Sequence, residues 1–207
     1  MIADWERAYH DMLKFEGGYA NHPADRGGET YKGIARNVWR NWKGWSIVDN
    51  YKRQTTSVRE LNNALAADRR MDSLVSDFYK RNFWDMVHGD ELPGKLARKT
   101  FDTAVNMGVR WGIKLLQQAL NGVNIQRNRE GKNPLFLALD VDGKYGRKTA
   151  GAIQAIFAEY GKTDGQEDIL DWYCEYQAER YHAIATRNPS QKVFLRGWLR
   201  RAAYRGD

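Results

Sequence analysis

A single cysteine, four scattered histidines and the lack of any long apolar run rule out several architectures in this 207-residue chain. Cys174 alone cannot close an internal disulfide, which excludes the disulfide-stapled secreted scaffolds. His10, His22, His88 and His182 show neither Cys/His nor His-x-x-x-His spacing, so no metal site is expected and no cofactor is implied. No stretch approaches the ~20 apolar residues that span a bilayer. The amino terminus, Met-Ile-Ala-Asp-Trp-Glu-Arg, carries charges where a secretion signal places its apolar segment. The chain therefore reads as one made in the cytoplasm without a signal peptide. Sustained apolar/polar alternation is absent too, which argues against an all-β fold.

What is present suits a folded protein: 42% of residues are hydrophobic and 29% charged, far from the composition of disorder. At roughly 150 residues per domain, the length predicts one core with a smaller second lobe. The net charge of +7 is unevenly placed, with 14 Lys/Arg against 13 Asp/Glu in residues 1–90 and 19 against 13 in residues 91–207. Arg180, Arg187, Lys192, Arg196, Arg200, Arg201 and Arg205 face only Asp207 at the end of the chain. Such a basic surface attracts nucleic acid, anionic lipid or an acidic polymer, and charge alone does not choose among them.

Trp5, Ala8, Tyr9, Met12, Leu13 and Phe15 recur mostly at spacings of three and four, predicting a helix that stops at Gly17-Gly18. Residues 19–34, rich in glycine, read as a loop or short hairpin. Ser57-Val-Arg-Glu60 has the form of a capping box ahead of a long helical region running to about Trp84. Asp90-Glu-Leu-Pro-Gly94 is the expected lobe boundary. Beyond it, residues 97–120 are helical in period with breaks at Gly108 and Gly112, and 121–134 read as a polar loop. Helices are expected over 149–160, over 169–185 behind a second capping pattern at Asp164–Glu167, and after Asn188-Pro-Ser190. The fold class predicted is mostly α, with at most a small β-hairpin.

Chemistry concentrates in Phe15-Glu16-Gly17-Gly18-Tyr19 and Asp25-Arg-Gly-Gly-Glu-Thr30-Tyr-Lys-Gly-Ile34. A carboxyl closing a helix among apolar neighbours is poorly solvated and stays protonated, so Glu16 suits a general acid. Asp25, in a polar loop, stays ionised. Cleaving a glycosidic bond needs one carboxylic acid for the leaving oxygen and one carboxylate for water or the oxocarbenium-like centre, and Thr30 can help hold that water. The plain alternatives stand beside this: Glu16 and Asp25 as ordinary surface residues, the glycines as turns, and Glu29 as the carboxylate that matters. Among the aromatics, Trp39, Trp42 and Trp45 can stack on sugar rings or pack in the core, and packing is the commoner fate.

Glu16, eight residues, Asp25, four residues and Thr30 together resemble the Glu/Asp/Thr arrangement of phage-type lysozymes, and the string to Ile34 resembles glycoside hydrolase family 108, a group of endolysins and secretion-associated muramidases. Gly27, Gly28, Gly33 and Ile34 fit the family's string, while Arg26 departs from it. The resemblance implies catalytic Glu16, Asp25 and Thr30, with Tyr19 and Glu29 as substrate-binding candidates. Phe101–Gly108, Leu115–Leu120 and Asp142-Gly-Lys-Tyr-Gly-Arg-Lys-Thr-Ala150 resemble the peptidoglycan-binding region that follows in this family, adding Asp142 and Tyr145 as candidate contacts. A helix-turn-helix with only a packing role is the rival there.

The expectation is therefore a lysozyme-like catalytic region over 1–90 and a helical peptidoglycan-binding region over 91–207 with a basic C-terminal helix. The expected activity is hydrolysis of the peptidoglycan glycan strand by a monomer, in the periplasm or cell wall after holin-type or dedicated export. A non-catalytic wall-binding protein and a nucleic-acid binder are the rival classes, and no nucleic-acid partner is expected. The last helix, with Phe194, Leu195, Trp198, Leu199 and Ala202 on one side and basic residues on much of the rest, fits packing better than an anionic membrane surface. If Trp198 is core, its removal costs about 3–5 kcal/mol.

Overall fold

Apolar spacing of three and four yields nine α-helices among the residues that the computed structural model describes, 2–14, 17–21 and 27–207. They are α1 (Ile2–Leu13), α2 (Gly44–Lys52), α3 (Val58–Ala67), α4 (Arg69–Tyr79), α5 (Gly94–Met107), α6 (Val109–Arg129), α7 (Arg147–Tyr160), α8 (Lys162–Arg187) and α9 (Lys192–Ala202). The glycine-rich segment forms three two-residue strands, β1 (Tyr19–Ala20), β2 (Thr30–Tyr31) and β3 (Ile34–Ala35), in an antiparallel sheet of that order. The protein is mostly α, as the sequence implies. It divides into two units, one of Glu6–Asn82 and one of Met1–Trp5 with Phe83–Asp207. The punctuation at Asp90–Gly94 opens α5, with Pro93 at its N-cap.

In the unit of residues 6–82, Tyr31 pairs with Ile34 across a two-residue turn, Lys32-Gly33, whose φ angles are +43° and +76°. Two left-handed residues give the turn that matches strand twist, and glycine at the second position carries no strain. Tyr31 and Ile34 are buried, and Tyr79 donates its hydroxyl proton to the Lys32 carbonyl at 2.8 Å, tying the turn to α4. Trp39, Trp42, Trp45 and Phe78 pack edge to face behind the sheet, at 4.9 Å for Trp39–Phe78 and 5.2 Å for Trp42–Trp45. The long helix expected from 58 to 84 breaks at Asp68, which ends α3 and caps α4 by accepting from the Arg70 amide at 2.9 Å. A π-helical turn, Lys80–Trp84, follows α4. Ser57 caps α3 by accepting from the Glu60 amide at 3.2 Å, but Glu60 returns its bond to Thr56, at 2.9 Å from the amide, one residue earlier than expected.

In the larger unit, α6 and α8 pack along each other, flanked by α5, α7 and α9. Gly112 lets α6 approach α5: a β-carbon there would stand 3.1 Å from the Thr100 carbonyl. Trp84 is fully buried, edge-on to Trp5 at 5.5 Å and Phe101 at 5.7 Å, with its indole N–H on Asp90 at 2.9 Å. Lys99, also fully buried, donates to the Ala202 carbonyl at 2.7 Å, placing a cation at the carbonyl end of α9.

Three expectations are corrected here. Residues 121–129 continue α6 instead of forming a polar loop. Their polar side chains have backbone partners elsewhere: Asn121 exchanges two hydrogen bonds with Leu139, at 2.9 and 2.8 Å, and Asn124 bonds Phe136 and Leu135 at 2.9 and 2.8 Å. With Gln117 they occupy one helix face at spacings of four and three, serving the extended segment 133–145 as a neighbouring strand would. The break expected at Gly112 is absent, since α6 runs through it. Helix α8 begins at Lys162 after Gly161 (φ +81°), so Asp164 lies in its first turn instead of capping it.

Candidate active site

Glu16 and Asp25 lie outside the described residues, so the site is built from what flanks them. Two residues after Glu16, a β-carbon on Gly18 would stand 2.2 Å from the Asn62 side-chain oxygen. That oxygen accepts from the Tyr19 amide at 2.6 Å while the Asn62 amide donates to the Tyr19 carbonyl at 3.3 Å. Glycine at 18 thus makes room for an α3 side chain to hold β1 by both backbone groups. Thr30 follows on β2, with its hydroxyl 3.5 Å from the Ala20 carbonyl and its backbone paired to Ala20 and Ala35.

Glu29 sits inside a charged network. Its carboxylate accepts from the Tyr19 hydroxyl at 2.7 Å, pairs with Arg36 at 2.7 Å and contacts Lys52; Arg36 in turn reaches Asp49 at 2.6 Å and lies over the Trp45 ring at 4.5 Å. Burial pulls the Glu29 carboxyl upward, but the Lys52 and Tyr19 hydrogen bonds and the Arg36 charge outweigh it and hold it below the usual range. Burial, then the bond to Glu29, pushes the Tyr19 phenol up, and the Glu29 bond raises Lys52. Glu29 is therefore an ionised tie, and Tyr19 is buried behind it. Sequence reading missed Asn62, Arg36, Lys52 and Asp49; no local pattern marks them, because they enter from the turn after β3 and from α2 and α3.

A groove of about 640 Å³ opens on the same unit, lined by Trp39, Trp42, Phe78, Asn41, Asp77 and Arg81. Trp45 is buried and donates its indole N–H to the Trp39 carbonyl at 2.8 Å, whereas Trp39 and Trp42 are half-exposed at the groove. Packing and presentation are thus divided among the three.

In the larger unit, the Asp142 carboxylate accepts from the Lys144 amide and from Gln117, each at 2.9 Å, and Gly143 (φ +77°) donates to Gln117 at 2.9 Å. Those contacts engage Asp142 within its own turn. Tyr145 stacks on His88 at 4.5 Å, burial pushes its phenol up to about 12, and it lines a groove of about 740 Å³ with Asp90, Glu91, Phe157 and Lys162. The structure brings Tyr19 and Thr30 onto one small sheet, with Glu29 directly before β2, and Asp142 and Tyr145 onto one turn. No group of three or more His, Cys, Asp or Glu side chains able to hold a metal occurs among the described residues.

Comparison with known proteins fits this arrangement. The profile for glycosyl hydrolase 108 matches residues 9–108, and that for a predicted peptidoglycan domain matches residues 111–203. The solved structure of SagA from Brucella abortus is similar in fold, with a TM-score of 0.53 and 21% identity over 100% of this chain and 97% of that one. No curated protein matches the chain. Residues 9–108 carry the charged sheet and aromatic groove and match glycosyl hydrolase 108, residues 111–203 carry the helices beyond and match the predicted peptidoglycan domain, and the two together give a glycoside hydrolase acting on the glycan strand of peptidoglycan.

Proposed function

We propose that this hydrolase is an N-acetylmuramidase, with Glu16 donating a proton to the leaving glycosidic oxygen and Asp25 positioning or activating water with help from Thr30. The observation that carries the reading is the state of Glu29. The string from Glu16 to Ile34 holds three carboxyls, and Glu29 is fixed as an anion by Lys52, Arg36 and Tyr19. An anion so held has no proton to donate, which favours Glu16 as the acid. Trp39 and Trp42, beside Asn41, Asp77 and Arg81, suit a glycan because sugar rings offer apolar faces to aromatics and hydroxyls to polar groups. The enzyme would reach the wall by a holin-type or dedicated export route.

Mass spectrometry of glycan released from purified sacculi tests the bond choice. New reducing ends on muramic acid are expected; reducing-end glucosamine would replace this reading with a glucosaminidase, and no released glycan would leave a wall-binding protein.

A further inference from the structure

Most arginines buried or half-buried in the larger unit have a carboxylate. Arg98 pairs with Asp4 at 2.6 Å, Arg127 with Glu159 at 2.7 Å, Arg201 with Asp102 at 3.1 Å and Arg205 with Glu167 at 2.6 Å. Arg180 has none. Its guanidinium carbon lies over the Trp111 ring, 3.8 Å from the centroid, and its Nε is buried with no hydrogen-bond acceptor among the described residues. Desolvation, then the charge of Arg187, lowers its proton affinity, as expected of a cation with no anion beside it.

Arg180 lines a pocket of about 200 Å³ together with Trp111, Asn106, Tyr181, Gln191 and Trp198. Tyr181 and Trp198 stack at 5.2 Å and form an aromatic wall. Behind Tyr181, Gln177 is fully buried and its side-chain oxygen has no donor, although its amide reaches the Tyr181 hydroxyl at 3.2 Å. Partly burying a cation without a partner costs free energy, as does leaving a buried amide oxygen without a donor. An unpaired, partly buried cation at the wall of a small pocket marks a place adapted to something other than stability.

We infer that this pocket binds a carboxylate of the peptidoglycan stem peptide, with the Arg180 guanidinium as the anion's partner and the aromatic wall holding the adjoining aliphatic group. The fork of guanidinium donors matches a planar carboxylate, and the contact with the Trp111 ring holds the guanidinium in place before binding. The glycan offers little for such a group: its N-acetyl sugars are neutral and its lactyl carboxyl is tied up in the amide to the stem. Free carboxylates lie on the peptide. The pocket is also smaller than the ~300–1,000 Å³ typical of sites for larger ligands, which suits one amino-acid residue better than a disaccharide. The inference rests on the reading of residues 111–203 as the part of the chain that meets peptidoglycan.

The test uses the full chain and two soluble probes, a disaccharide–tetrapeptide muropeptide and the same muropeptide with its stem carboxylates converted to amides, titrated by calorimetry. The acid form is expected to bind at least ~10-fold tighter than the amide form. Arg180→Gln should erase that preference while melting at the wild-type temperature or above, since it removes an unpaired buried charge. Arg180→Lys should restore part of it. Equal affinity for both probes overturns the inference. So does an Arg180→Gln variant that melts lower and keeps the preference, which would make Arg180 a cover for Trp111. Displacement of the acid probe by inorganic phosphate at matched concentration would overturn the assignment to the stem carboxylate. A preparation that releases muramic ends but shows no preference loses this inference alone, while one that shows the preference but releases no glycan loses the catalytic reading alone.

Discussion

Two irregular segments of this chain are held in different ways. Residues 17–21 and 27–43 are fastened by charge: Glu29, Lys52, Arg36 and Asp49 form one network, with Tyr19 hydrogen-bonded into it. Residues 133–139 are fastened mainly by the neutral amides of Asn121 and Asn124, which meet both donors and acceptors of the backbone, with the Arg127 guanidinium, paired to Glu159, adding one bond to the Asn133 carbonyl at 2.9 Å. The charged arrangement sets the ionisation of Glu29 and Asp49. The neutral one only fixes position, so only the first should respond to pH.

The largest expected effect of breaking either arrangement is on the neutral side. Asn124→Leu leaves the Leu135 amide and the Phe136 carbonyl without partners in a half-buried setting, which should cost about 2–5 kcal/mol. Urea unfolding measures this, and a cost below 1 kcal/mol would mean that water serves the segment as well as the asparagine. Glu29→Gln comes next, at about 1–3 kcal/mol, because it strands Arg36 and Lys52 beside a neutral amide.

Acidification sharpens the contrast. Glu29 and Asp49 have folded-state carboxyls held below their ordinary values, Asp49 chiefly by its hydrogen bond to Arg36. Their contribution is complete above the unfolded carboxylate range near pH 4 and is lost as pH falls through the depressed values. NMR resonances of the sheet residues should therefore shift below pH 4, while Leu135 and Leu139 amides stay fixed; simultaneous movement would contradict the division. The smallest effect concerns the last helix. Trp198 is half-buried and stacked on Tyr181, so Trp198→Ala should cost about 1–2 kcal/mol, less than a core tryptophan. A melting shift as large as that of Trp84→Ala would show that α9 is core.

The sequence made the helices legible wherever apolar residues recur with helical period, and the Lys32-Gly33 turn was foreshadowed by the glycine-rich string. Residues 121–129 were misread because the same asparagines that suggest a loop are polar for a reason only the tertiary fold supplies: they face backbone groups of residues 135–139. Glu29 was ambiguous for a similar reason. Its partners Arg36 and Lys52 arrive from 7 and 23 positions away, and nothing local distinguishes a tied glutamate from a free one. Gly18 reads as a turn in the sequence and is in fact space for Asn62, 44 positions further along. Arg180 looked like part of a basic tail, yet Arg201 and Arg205 in that tail pair with carboxylates and, among the described residues, Arg180 does not.

The central claim is that Glu16 supplies the proton and Glu29 supplies structure. Sacculus lysis rates for Glu16→Gln and Glu29→Gln, measured with thermal melting of each, address it directly. Glu16→Gln should melt as wild type and lose ~100- to 10,000-fold in rate, while Glu29→Gln should melt lower and keep activity in proportion to the folded fraction. A Glu16→Gln protein that lyses near the wild-type rate, or a fully folded Glu29→Gln protein that does not lyse at all, would contradict the account.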